Sequence, residues 1–270
     1  SYSPIISHLQ IHCHKSNKIP IVIIRHTKLH KRGKLMNKVM QIYETLYKTY
    51  GPQGWWPIIN YKTKNHIKEN NTTGYHILDY GFPRDKNEIF EVCLGSILTQ
   101  NTTFTSVIKS LHNLNNINHL NYEKIKTMPI DELKSLIKPS GYYNQKANYI
   151  LEFIHFFQNL KDNIPTRDEL LKIKGIGPET ADSILLFGFN QAEFKVDAYT
   201  KRILIHNNII SKDFNYHDIK YFMEKEIKKE IKDKQELVIT YQEYHALLVH
   251  HAKRHYSKKP YAQECFLSHT

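Results

Sequence analysis

The chain has 270 residues and a mass of 32.0 kDa, enough for one large domain or two interleaved lobes around a sizeable core. A formal charge of +12 and a pI near 9.3 favour an anionic partner such as nucleic acid, although a composition rich in Lys, Asn, Ile and Tyr can itself raise the pI. Three widely spaced cysteines, Cys13, Cys93 and Cys265, exclude an internal disulfide framework and a four-thiolate cluster, and the longest apolar patch, residues 19–24, is far too short to cross a bilayer.

Residues 1–35 carry seven Lys or Arg, five His and no acidic residue. They read first as a poorly ordered extension and second as a basic DNA-contacting arm, with a targeting peptide or an early start codon as further alternatives. His12, Cys13 and His14 lack partners at metal-ligand spacing. An amphipathic helix follows over 36–50, with Val39, Ile42, Leu46 and Tyr50 on one face. Gly51 to Pro57 then form a loop holding adjacent tryptophans, Trp55 and Trp56, either a hydrophobic plug or a stacking wall for a flipped base. A polar basic excursion is expected over 62–71.

The run FEVCLGSILTQNTTF contains a helix apolar around most of its circumference, 88–98, which predicts burial inside a bundle. It breaks at Thr99–Thr103, where Asn101 or Thr102 can cap a helix from Phe104 and Gln100 sits at the corner between helices. Further helices are expected near 104–114, 121–127, 130–138 and 144–159, with Lys146 a second possible DNA backbone contact. No strand pattern persists. Beyond residue 206 the pattern gives helices over 216–231 and 236–256.

Residues 168–204 organise the chain. A short helix at 168–173 meets the turn Lys174-Gly175-Ile176-Gly177, and a second helix opens at Pro178. Two glycines around one apolar residue permit a sharp turn, and NH groups at the second helix start can face a phosphate without reading a base. Asp197 precedes another helical pattern, 198–206. From position alone it is either an N-cap or a catalytic carboxylate.

The motifs FEVCLGSILTQNTTF and LLKIKGIGPETADSILLFGF…FKVDAYTKRI, with Trp55-Trp56-Pro57, resemble the helix-hairpin-helix/Gly-Pro-Asp (HhH-GPD) superfamily of DNA glycosylases. The resemblance extends over about 36–255 and is nearest the monofunctional 3-methyladenine branch of the endonuclease III-like group. It implies an all-α, two-lobed fold: 36–85 with 209–270 as one helical lobe, and 86–208 as a central helical barrel containing the hairpin at 168–189. It implies Asp197 as the catalytic carboxylate and a base pocket from Trp55, Trp56, Pro57, Phe90, Glu179 and Lys253. DNA contacts are expected from Gln100, Lys146, Lys174, Gly175, Ile176, Gly177 and Pro178, with a monovalent cation at the carbonyls of 171–177.

The chain departs from the bifunctional pattern, in which a lysine occupies the position of Glu179. A glutamate cannot form the imine that β-lyase chemistry requires, and Lys174 and Lys195 stay open as substitutes. Only Cys265 stands where related proteins carry four cysteines, so no [4Fe-4S] cluster is expected. The expected activity is hydrolytic removal of alkylated purines from double-stranded DNA by a monomer, with no membrane association and no obligate protein partner. A glycosylase for uracil, thymine or mismatched adenine and a non-catalytic DNA-binding module are the alternatives. Localisation would be cytoplasmic or nucleoid-associated in a bacterium, nuclear or organellar in a eukaryote.

Overall fold

The computed structural model describes residues 37–61, 74–161, 163–262 and 265–269, and all regular structure among them is helical. The expectations for 1–35, Cys13 included, and for 62–71 lie outside the described residues. Helices run in the order α1 (Lys38–Tyr50), α2 (Lys86–Leu98), α3 (Phe104–Asn116), α4 (Tyr122–Thr127), α5 (Ile130–Ile137), α6 (Tyr143–Asn159), α7 (Arg167–Leu171), α8 (Pro178–Ser183), α9 (Ala198–His206), α10 (Tyr216–Glu230) and α11 (Lys234–His255).

Short polar side chains in extended backbone select most of the helix starts. Asn37, Asp85, Asn121, Asn215 and Asp233 each accept a hydrogen bond from a first-turn NH. Asp85 starts α2 two residues before the expected 88. Thr103, rather than Asn101 or Thr102, caps α3 through the Ser106 NH. Asn101 instead takes φ +52° and turns the chain between the two helices. α8 widens into a π-helical turn over Ile184–Gly188, and a Cβ on Gly188 would lie 3.2 Å from the Cys93 sulfur, so α2 passes close by.

Met36–Thr270 form one compact unit with two apolar cores. The first joins α1, α10, α11 and the tryptophan loop through Tyr43, Leu46, Trp56, Met223, Tyr244 and Leu247. The second joins α2, α3, α5, α6 and the hairpin through Leu94, Ile97, Leu111, Phe153, Leu170 and Ile176. α2 serves both, with Val92 in the first and Phe90, Cys93 and Leu94 in the second. α9, inside the 86–208 segment, buries Ile203 and Leu204 in the first core.

Between the cores lies Asp182 of α8, with no side-chain exposure. Its oxygens accept from Arg167 Nε of α7 at 2.7 Å and from the Tyr216 hydroxyl of α10 at 2.6 Å, and Lys220 Nζ stands 3.6 Å away. Lys220 also pairs with Glu193 and Glu224, and Glu224 accepts the Phe194 NH at 2.9 Å. One buried carboxylate therefore ties both hairpin helices to α10 and to the extended segment before Asp197. Removing a single partner from such a network strands the others without a counter-charge. Asp182→Ala is expected to cost about 3–5 kcal/mol, read as a lower urea midpoint with an unchanged slope.

Candidate active site and DNA-binding face

The hairpin starts from a capping box, Thr166 accepting from the Glu169 NH while Glu169 accepts from the Thr166 NH. The two glycines of the turn have different roles. Gly175 sits at φ +88°, and a Cβ there would fall 2.2 Å from the Tyr149 ring. Gly177 has φ −90°, and a Cβ on it would meet nothing within 4 Å, so its bareness leaves open space instead of allowing a turn. Ile176 plugs the helix junction at 4 % exposure. Its NH is spent on Ile173 O at 3.0 Å, so it is not available to a ligand, unlike the first-turn amides that follow. Lys174 is exposed beside them. Gln100 Nε2 donates to Gly175 O at 2.9 Å and braces the α2 corner against the hairpin. The Ile173 and Gly175 carbonyls thus already accept hydrogen bonds, and no chemistry is assigned to a cation there.

Two buried carboxylates hold the tryptophan loop. Glu243 of α11 accepts the Gln53 NH at 2.7 Å and the Gly54 NH at 3.3 Å, and Glu91 of α2 accepts the Ile59 NH at 2.6 Å. Trp56 is 3 % exposed and lies so near α2 that a Cβ on Gly95 would stand 2.9 Å from its ring. It packs on Phe187 at 5.7 Å, with Pro57 buried beside it. Trp55 is half-buried, with the Phe104 ring 4.4 Å away and Tyr75 at 6.1 Å. The indole nitrogens of both tryptophans are buried without a hydrogen-bond partner.

A cleft of about 270 Å³ opens between the end of α2 and the hairpin, lined by Ser96, Thr99, Gln100, Glu179, Thr180 and Lys195, among others. Lys195 Nζ, with 8 % side-chain exposure, is 3.7 Å from Glu179 Oε1. The Glu179 side chain keeps 53 % of its surface in water. Its carboxyl end nevertheless lies among protein atoms that push its pKa up, helped by Asp197 and opposed by Lys195.

Asp197 caps α9, its Oδ1 accepting from the Thr200 NH at 2.7 Å and the Thr200 hydroxyl at 2.9 Å. Burial works against its charge, but His245, Lys195 and the two Thr200 bonds outweigh burial and hold it below the ordinary 3.8. His245 of α11 is itself driven down to about 4, first by burial and then by Lys195. The imidazole is therefore neutral at physiological pH, and Lys195 is the positive member of the group. The aromatic loop reaches this group through Trp56, Phe187 and His245, the last two 5.8 Å apart. Trp55 and Trp56 nonetheless line a separate, tighter cavity of about 10 Å³ with His76, Phe82 and Gln242.

Two of the expected site residues are corrected and a third is displaced. Phe90 is fully buried in the second core against Tyr122 and Phe157, because its side of α2 faces α6. Phe104, six residues after Leu98 in the same motif, is the ring that meets Trp55. Lys146 is 2 % exposed and donates to Leu98 O at 2.8 Å and Ser140 O at 2.7 Å, so it cross-links helix ends and does not reach out to DNA. Lys253 is exposed in the last turn of α11, about 12 Å along the helix from His245, and is not among the residues lining the cleft. Sequence reasoning also passed over Tyr142, which stands 64 % exposed at φ +47° on the turn that Lys146 fastens to the α2 corner. Its signal was the Gly141-Tyr142-Tyr143 break before α6.

Among the described residues no group of three or more His, Cys, Asp or Glu is arranged to hold a metal ion. The donors present do not fit a four-thiolate iron–sulfur cluster. Cys265 is 3 % exposed with its sulfur 3.2 Å from His251 Nε2 and 3.5 Å from the Tyr256 hydroxyl, and Cys93 lies in the core of α2.

A helix-hairpin-helix is thus followed by a carboxylate that caps the next helix, with a cleft at the hairpin. The HhH-GPD superfamily of base excision DNA repair proteins matches residues 94–229, and the chain belongs to that family. A "Putative DNA repair glycosylase" of Methanocaldococcus jannaschii is 34% identical over 238 residues, 84% of this chain and 92% of that protein. Endonuclease III of Sulfolobus acidocaldarius is 29% identical over 66% of this chain and 79% of its own length. Among solved structures, the H. pylori 3-methyladenine DNA glycosylase bound to 1,N6-ethenoadenine superposes with a TM-score of 0.58 at 26% identity, covering 80% of this chain and 97% of that one. The protein is thus an endonuclease III-like DNA glycosylase of base excision repair.

The glycines give a paired prediction. Gly175→Ala, which must both adopt φ > 0 and displace Tyr149, is expected to lower the melting temperature by several degrees, roughly 1–3 kcal/mol. Gly177→Ala should leave melting unchanged and weaken duplex binding in a fluorescence-anisotropy titration across salt.

Proposed function

We propose that the protein flips alkylated purines of the 3-methyladenine type out of duplex DNA and releases them by hydrolysis, leaving the strand intact. The observation that carries this reading is the half-buried Trp55 with Phe104 at 4.4 Å and Trp56 edge-on at 5.2 Å. Clustered aromatic rings suit a cationic purine, which is already a good leaving group and needs no acid to protonate it. The H. pylori relative, a 3-methyladenine glycosylase, adds support at 26% identity.

Asp197 is the proposed catalytic carboxylate. Breaking the N-glycosidic bond builds positive charge on the deoxyribose, and an ionised carboxylate near C1′ stabilises that charge or orients water. Glu179 supports the absence of strand cleavage, since a carboxylate cannot form an imine with the sugar. The hairpin amides of Gly177 and Glu179 would fix a phosphate, and through it the sugar relative to Asp197. Gln100 and exposed Tyr142 are the proposed side chains for the space a flipped base leaves.

One feature favours a second reading: the polar lining of the larger cleft, with Gln100, Glu179 and Lys195, suits an uncharged base with a hydrogen-bonding edge. Methylated and mismatch-containing duplexes separate the two. Free methyladenine, with nicking only after alkali, is expected; release of uracil, thymine or adenine alone supports the second reading, and nicking without alkali removes the hydrolytic one. Asp197→Asn should keep the Thr200 cap and melt within a few degrees of wild type, because asparagine caps about as well. Its base release should nonetheless fall by about two orders of magnitude or more, measured in single turnover.

A further inference from the structure

Lys195 is the positively charged side chain in the lining of the cleft. It is 7 % exposed, lines the cavity, and lies two residues before Asp197 with its ammonium 3.7 Å from Glu179 Oε1. Every element packed around it contributes a group. α8 presents Glu179, while Asp182 on the same helix is occupied by Arg167, Tyr216 and Lys220. α9 presents Asp197, and α11 presents His245, whose ring hydrogen-bonds the Lys195 backbone. α2 contributes only uncharged Ser96, Thr99 and Gln100. From α10, Tyr216 reaches toward Pro178 and Asp182.

We propose that Lys195 is a positioning residue: paired with Glu179 and two residues before Asp197, its ammonium favours the charged form of both carboxylates, so that Asp197 meets the sugar as an anion. This rests on the functional reading above. Two neighbouring carboxylates without a cation compete for a proton, and the more buried one takes it most readily. With Lys195 the three groups sum to one negative charge. That matches the single positive charge of a cationic base, or of the sugar as the bond breaks. An ammonium this buried also depends on its counter-charges, so each member fixes the others.

The test uses the full chain and the variants Lys195→Met and Lys195→Arg. Single-turnover base release is followed against pH, and the Asp and Glu side-chain carboxyls are titrated by 13C NMR with Asp197→Asn and Glu179→Gln for assignment. Removing the cation should move one carboxyl midpoint up by about one unit or more, and the acidic limb of the Lys195→Met release profile should move up by the same amount while release at about pH 8.5 stays within about threefold of wild type. Lys195→Arg should restore the wild-type profile. The NMR arm reads the charge whether or not a base is released, so wild-type protein that releases none defeats the functional reading alone. Unmoved midpoints in a folded Lys195→Met protein overturn the proposal. So does a loss of release equal at every pH, or a borohydride-trapped adduct on an abasic duplex that disappears with Lys195, which would make the lysine a nucleophile.

Discussion

The buried Asp182 carboxylate is the constraint on which the functional face depends. It has no contact with water and accepts from Arg167 and Tyr216 with Lys220 alongside, so three elements must meet at one point. Lys220 passes the constraint on to Glu193, and Glu224 passes it to the Phe194 NH. The extended segment that delivers Lys195 and Asp197 is thereby fixed against the hairpin helix that carries Glu179. The first turn of the hairpin's second helix then lies in a defined place relative to the capping carboxylate. The two cores alone would not set that distance, because apolar contacts are non-directional.

The site is assembled from buried charges that act on backbone as much as on one another. Glu243 and Glu91 hold the tryptophan loop by its amides, from opposite ends. Glu91 has only the Ile59 NH to offset its desolvation, and burial carries its pKa up to about 7. Lys146 draws together the carbonyl ends of α2 and of the turn at Ser140. Lys146, offered by the sequence to the DNA backbone, serves the main chain in the same way as these two carboxylates. A buried backbone NH or carbonyl needs a partner, and where the chain is irregular a side chain must supply it.

Asp197 caps α9 through one oxygen, and the positive charge of Lys195 favours its charged form in addition to the cap bonds. The cap bonds help keep the carboxylate ionised, so capping and charge are one arrangement. Glu179 changes in a similar way. A glutamate in the first turn after a proline is ordinary helix chemistry, but the Lys195 ammonium beside it makes it half of an ion pair at the cleft.

Local rules written in the sequence determined the helices, their caps and the hairpin. A 3.6-residue apolar period, short polar residues before helix starts and a glycine forced to positive φ depend only on neighbours in the chain, and α9, α10 and α11 lie within about two residues of where the pattern puts them. Family likeness in two motifs then gave the fold. Which face of a buried helix looks into a pocket is a different matter. α2 is apolar all round, so its periodicity could not distinguish Phe90, turned to α6, from the Gly95 side that receives Trp56. Nor could lysines be sorted by sequence: Lys146 is buried as a cross-link, Lys253 is exposed and Lys195 sits in the cleft, because only the packing of distant elements decides what an ammonium group can reach. The tertiary structure alone brought Phe104 to Trp55 and His245 to Lys195, pairs far apart in the chain and linked by no local periodicity.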